Sequence, residues 1–166
     1  MPHALNVPWT FWYINERSVN YSKAADYSNN VKSFATVTTL EDFCLLYQHL
    51  KRPNHLPGFT LCAFRDGIHP TWEDPCHIGG GRLSLKFKKG FANHVWEGIL
   101  FNLIGSQSPI LNEYATGVAL NGASQQDALK IWISNRATMD AIAGMKKEIA
   151  DLWELDESCI DYTPFE

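Results

Sequence analysis

Hydrophobic and polar positions alternate with different periods along the chain, and each change of period marks an element. Residues 8–14, PWTFWYI, are aromatic and β-prone and predict a strand. Residues 15–33 are polar, rich in Asn, Ser and Asp, with Tyr21 and Tyr27 embedded. They read as a long loop, and long loops in compact domains are often functional. Thr38-Thr39-Leu40-Glu41 carries a capping box in which Thr38 caps and Glu41 reaches back. The helix that follows places Leu40, Phe43, Tyr47 and Leu50 on one face, and RPNHLPG at 52–58 ends it. Residues 59–64 predict a strand, and 65–82 a loop with Asp66-Gly67, Pro70, Pro75 and Gly79-Gly80-Gly81. Leu83, Leu85 and Phe87 alternate with Ser84, Lys86 and Lys88, the pattern of a half-buried strand. Val95, Ile99 and Leu103 recur at helical spacing within 91–104, with Gly105 as terminator. Strands are predicted at 114–120 and 128–134. A helix is predicted at 137–152, with Ile142, Met145, Ile149 and Leu152 on one face. There are no repeats and no internal linker. The pattern predicts one α+β domain over residues 1–166, its sheet mainly antiparallel, with helices on one side.

Composition narrows the partners. A chain of 166 residues, 45% hydrophobic and 13% aromatic, is long enough to bury a core. No stretch reaches the roughly 18 uncharged apolar residues of a membrane helix. The start, MPHALNVPWTFW, lacks the basic and apolar regions of a signal peptide. Cys44, Cys62, Cys76 and Cys159 form no CxxC pair and read as free thiols of a cytoplasmic protein. A net charge of -4 argues against a protein that grips long RNA through phosphates on a broad basic face, and DNA is not an expected partner. Recognition of RNA would have to be local, one base and a few phosphates. Six Trp in so short a chain invite a functional reading for some of them.

The stretch richest in chemistry is GIHPTWED, residues 67–74. Guanine presents two adjacent donors, N1–H and the exocyclic amine, which one carboxylate can accept together through charge-assisted bonds. Aromatic rings cover the faces of a base at about 1–3 kcal/mol each. N7 methylation makes the ring cationic and adds a cation–π term. Two aromatics, one carboxylate and a cation for phosphates would therefore read a methylated guanine. A lone Trp-Glu pair in a loop is more often packing beside a solvated acid, so the surrounding motifs decide. Cys62, His69, Cys76 and His77 are spaced unlike any common zinc site, so no metal or cofactor is expected. No nucleophile motif or phosphate-cradling glycine loop is present, and no enzymatic activity is expected.

Those motifs form a set. HALNVPWTFWY, TLEDFCLLYQHL, FRDGIHPTWED, GGGRLSLKFKKG, VWEGILFNLIG and LKIWISN follow in the order and spacing of the translation initiation factor 4E family, which the chain resembles from His3 to about Ile149. The segment KKGFANHVWEGILFNLIG looks closest to the 4E-homologous protein branch. The resemblance implies a curved sheet with helices on its convex face and a function in binding the 7-methylguanosine cap of mRNA, in translation initiation or its regulation. It implies that Trp72 stacks on the methylguanine and donates its backbone N–H to O6, that Glu73 accepts the two guanine donors, and that Trp132 meets the N7-methyl group. Without the resemblance, Trp132 reads equally well as a core residue. The resemblance also implies that Arg82, ten residues after Trp72, meets the phosphates. The second stacking ring, sixteen residues before Phe43, falls on Tyr27, with Tyr21 as the weaker alternative.

Departures from the family pattern accompany the match. Partners of the family, scaffold factors of the 4G type and 4E-binding proteins, dock a Tyr-x4-Leu-Φ helix on the dorsal helices. The positions implied here are His3, Leu40, Cys44, Glu97 and Phe101. Cys44 stands where the family carries a Trp, and Glu97 where it carries a Leu. Two usual phosphate-binding cations fall on Ala123 and Ala128, leaving Lys130 as the replacement on the same side of the strand. A diverged member acting as a repressor or as a protein-interaction module is the alternative these changes keep open.

Overall fold

The computed structural model describes residues 1–17, 19–20, 24–52, 58–88, 90–122 and 126–166. Tyr21, Lys89 and Ala123 lie outside the described residues, so the choice between Tyr21 and Tyr27 has only its second member in view. Seven strands form one sheet: β1 (Ala4–Asn15), β2 (Val31–Thr39), β3 (Phe59–Arg65), β4 (Gly81–Lys88), β5 (Ala115–Gly122), β6 (Gln126–Ile133) and β7 (Ile160–Pro164). Their order is β2-β1-β3-β5-β6-β4-β7, and every neighbouring pair is antiparallel. Among the described residues five α-helices accompany it: α1 (Ala24–Asn30), α2 (Leu40–His49), α3 (Ala92–Ile104), α4 (Pro109–Tyr114) and α5 (Met139–Trp153). None among the described residues is long and apolar enough to cross a membrane.

Period-2 alternation gives the sheet two different faces. One carries Trp9, Phe11, Leu61, Ala63, Leu83, Leu85, Val118, Leu120, Leu129 and Ile131, all buried under α2, α3 and α5. Those helices contribute Phe43, Val95, Trp96, Ile99, Leu103, Ile142, Met145 and Ile149. The other face builds a second, smaller cluster from Ile14, Cys62, Phe64, Ala119 and Trp132, with Trp12, Tyr27, Ile68 and Phe165 packed against it. The sheet is curved and open; α2, α3 and α5 cover one side, while the short α1 places Tyr27 against the other.

Several boundaries differ from the sequence reading. The stretch expected as one loop, 15–33, contains α1 and the start of β2, an edge strand whose exposed Lys32, Ser33 and Phe34 hide its period. The cap of α2 is Thr39, not Thr38: its hydroxyl accepts from Asp42 N–H at 3.1 Å. Glu41 turns instead to His3, accepting its backbone N–H at 2.9 Å and meeting its Nδ1 at 2.6 Å. Leu40 and Leu152, expected on buried faces, are 46% and 48% exposed. Gly105 ends α3 in a right-handed conformation, and the left-handed residue is Ser106 (φ 52°). Tyr114 closes α4 and does not open a strand; α4 and β7 had no sequence signal long enough to register.

Candidate ligand-binding cleft

The cleft opens on the face away from α2, α3 and α5. Its walls are Tyr27 from α1 and Trp72 from the loop between β3 and β4. Their ring centroids lie 6.2 Å apart with only 7° between the planes. Two carbon layers in van der Waals contact need about 3.5 Å each. The 6.2 Å between centroids is an upper bound on the distance between the planes and falls short of the about 7 Å that a ring stacked on both walls needs, so the two parallel walls must part slightly to admit one. Trp72 is 52% exposed, an indole surface that packing alone would have covered.

The loop that presents Trp72 is fastened by side-chain hydrogen bonds. Asp74 accepts from the backbone N–H of His69 at 2.9 Å and of Cys76 at 3.1 Å. Burial works to raise the Asp74 carboxyl, but those bonds outweigh it and hold it below the usual range. His77, fully buried, bridges Thr71 O at 2.7 Å and Thr116 Oγ1 at 2.8 Å. Burial, its largest influence, holds the imidazole below its ordinary pKa. The Tyr27 hydroxyl donates to Pro70 O at 3.1 Å, which ties the two walls together, and burial pushes that phenol up. Asp74, Cys76 and His77 gather ligand-type atoms within 4.8 Å of one another, yet both imidazole nitrogens already have hydrogen-bond partners.

The floor of the cleft, about 160 Å³, comes from the sheet: Ile14 and Glu16 at the end of β1, Thr60 and Cys62 on β3, Ala119 and Asn121 on β5, Lys130 and Trp132 on β6, and Arg82 on β4. Register explains the convergence. Cys62 faces Ala119, Ala119 faces Lys130, and Trp132 faces Arg82 across antiparallel pairs, where opposed residues share a side. Trp132 is 6% exposed, tilted against Phe165 at 4.7 Å and His77 at 4.9 Å, and its indole N–H has no acceptor among the described residues. Arg82 lines this cleft and also an adjoining groove with Trp72, Thr163, Pro164, Phe165 and Glu166. Its entry is set by two glycines: Gly79 turns with φ +79°, and a Cβ on Gly80 would stand 2.4 Å from Ile133 O. Burial first, then Arg82, lowers the Lys130 ammonium, while Glu16 and Cys62 oppose them.

The structure thus brings Tyr27, Trp72, Trp132, Arg82 and Lys130 together. Glu73 is exposed and does not line the cleft, although its charge reaches the Tyr27 phenol. Sequence reasoning missed Glu16, Thr60 and Asn121. The signal was available for Glu16, which continues the alternation of Trp12 and Ile14. His3, Leu40, Cys44, Glu97 and Phe101 are elsewhere, on or beside the helical layer. Phe101 stands edge-on to Phe43 and Tyr47 at 5.6 and 5.1 Å. Glu97 pairs with Arg52 at 3.3 Å.

Sheet, helical layer and concave aromatic cleft define an open-sheet α+β binding domain. The chain belongs to the eukaryotic initiation factor 4E family, whose sequence model matches residues 4–166. A translation initiation factor NCBP from rice is 31% identical over 164 residues, covering 98% of this chain and 71% of its own length. The eIF4E-3 of Ascaris suum, solved with an m2,2,7G cap, gives a TM-score of 0.87 at 27% identity over 100% of this chain and 93% of that one. The same protein with an m7G cap gives 0.86 at 26% over the same shares of the two chains. The eIF4E-3 of C. elegans, solved with the 4E-binding protein Mextli and a cap analog, shares the fold at a TM-score of 0.87 and 23% identity, over 99% and 93% of the two chains.

Proposed function

We propose that this chain binds the 7-methylguanosine 5′ cap of mRNA in the cytoplasm, leaves it chemically unchanged, and acts in translation initiation or its regulation. The carrying observation is the near-parallel Tyr27–Trp72 pair at 6.2 Å. A methylated guanine slides between these rings, its positive charge facing two π-clouds. Trp132 closes the inner edge against the N7-methyl group. Glu73, beside Trp72 at the mouth, takes the N1–H and amine donors once the ring is seated. Arg82 and Lys130 meet the phosphates, and the adjoining groove past Arg82 takes the chain onward. The four cysteines are free, which supports a reducing compartment.

The helical face is the proposed partner surface, for a scaffold factor of the 4G type or a 4E-binding protein. Leu40, Leu45 and Phe101 are 46%, 59% and 44% exposed there, beside Cys44, with His3 held at the start of α2 by Glu41. The test of the cap reading is retention on immobilised 7-methyl-GTP, with elution by free 7-methyl-GTP and not by GTP. Trp72→Ala should abolish retention while leaving the circular dichroism unchanged; a variant that still binds would place the ligand elsewhere.

A further inference from the structure

The cleft is lined by a carboxylate other than the exposed Glu73, that of Glu16, and its position is built. The Glu16 backbone N–H donates to Gly58 O at 2.9 Å, which fixes the chain as it leaves β1. The Thr60 hydroxyl donates to Glu16 Oε1 at 2.5 Å, and the Asn121 amide donates to the same oxygen at 3.4 Å. Thr60 and Asn121 are opposed in the β3–β5 register, so two neighbouring strands aim donors at one acceptor. Thr60 is buried and Glu16 half-buried. The remainder of the lining is aromatic or apolar apart from two cations, Arg82 and Lys130.

A fixed negative charge on a cleft wall favours a ligand that is positive where it lies deepest. Glu73 is exposed, so water and salt screen its field. Glu16 acts through a partly desolvated, apolar-walled space, where the same charge counts for more. It also opposes two cations that would otherwise repel a cationic ring. Resting on the cap reading above, we infer that Glu16 is a specificity determinant of the cleft, selecting a positively charged, N7-alkylated purine over the neutral purine carrying the same phosphates.

The two nucleotides 7-methyl-GTP and GTP carry the same triphosphate, so the ratio of their dissociation constants isolates ring charge from phosphate binding. Glu16→Gln keeps an acceptor for Thr60 and Asn121 but removes the charge. Titration by Trp fluorescence should show the preference for 7-methyl-GTP falling by about fivefold or more in Glu16→Gln, as expected for one charge removed at short range in a partly desolvated site. Lys130→Gln, which removes a cation from the same floor, should weaken both nucleotides yet raise the ratio. A wild-type ratio retained in Glu16→Gln, or equal weakening of both nucleotides, would overturn the inference and leave the cap reading standing. A wild-type protein that does not distinguish 7-methyl-GTP from GTP would overturn both.

Discussion

Tyr27 and Trp72 contribute unequal rings to the cleft. Trp72 offers the larger π-surface on a loop fastened by Asp74 and His77. Tyr27 offers a smaller ring, anchored by its hydroxyl on Pro70 O. Stacking is worth about 1–3 kcal/mol per base on each aromatic. Tyr27→Ala should therefore weaken 7-methyl-GTP binding at least about fivefold, measured by fluorescence quenching. Tyr27→Trp should hold or tighten it, because the added π-area offsets the lost bond to Pro70. If Tyr21→Ala proved more damaging than Tyr27→Ala, the second ring would be misassigned. His77 carries a pH consequence. Burial holds its folded pKa below the unfolded value of about 6.5. In that window the unfolded chain binds the extra proton, so stability is full above about pH 6.5 and falls as pH drops toward the folded pKa. His77→Gln should cost roughly 1–3 kcal/mol at pH 7.5, since it disturbs the buried bonds to Thr71 and Thr116. It should also flatten the dependence of Tm on pH between about 5 and 7. Thermal unfolding across that range decides it, and an unchanged slope would show that another group titrates.

At the scale of elements, the helical layer is where the departures from the family pattern take physical form. Glu97 is not a bare charge on α3. Arg52 pairs with it at 3.3 Å, and burial together with Glu97 pushes the Tyr47 hydroxyl up to about 12. The pair is partly exposed and contributes at most about 1 kcal/mol, so removing it should not unfold the protein. Cys44 is exposed on α2 where an aromatic anchor would sit. A Tyr-x4-Leu-Φ peptide should therefore bind weakly, and Cys44→Trp with Glu97→Leu should recover about 2 kcal/mol or more of affinity in calorimetry. Tight wild-type binding would show that Leu40, Leu45 and Phe101 suffice as they stand. The same elements show what could be read from sequence. α3 and α5 were legible because Val95, Ile99, Leu103 and Ile142, Met145, Ile149 repeat at helical spacing and bury deeply. β2 was not, since an edge strand packed on one face by a short helix leaves Lys32, Ser33 and Phe34 exposed in succession. α1 and α4, at seven and six residues, are under two helical turns, too short for a period of 3.6 to show, and the alternation of β7 rests on Ile160 and Tyr162 alone.

For the molecule as a whole, the net charge of -4 conceals an uneven distribution. On β4, Arg82, Ser84, Lys86 and Lys88 share the cleft side of the sheet, opposite Trp132, Lys130, Ala128 and Gln126 of β6. A line of cations therefore leaves the aromatic pair along one strand. The rings and Arg82 were legible as residue types at fixed spacing. The shared side of Arg82, Lys86 and Lys88 was legible from their alternation, but its place beside the cleft was not, because that depends on the register that sets Ser84 against Lys130 and Lys86 against Ala128. Glu16 escaped for the same reason: its neighbours in the cleft are distant in sequence. This geometry fixes the expected phosphate energetics. Arg82 lies at the junction of cleft and groove, with a buried Nε that has no acceptor among the described residues. Arg82→Ala should cause the largest loss among the basic residues. Lys130→Ala should cause a smaller one, because that ammonium is partly buried and already opposed by Glu16. Ala128→Lys should tighten binding and steepen its salt dependence, since each added counter-charge to phosphate adds to the slope. The gain from 7-methyl-GMP to 7-methyl-GTP should be modest in the wild type, with stacking carrying most of the affinity. Titrating both nucleotides at two salt concentrations separates the contributions. A strong, salt-sensitive preference for the triphosphate that survives loss of both Arg82 and Lys130 would move the phosphate site outward along β4, to Lys86 and Lys88.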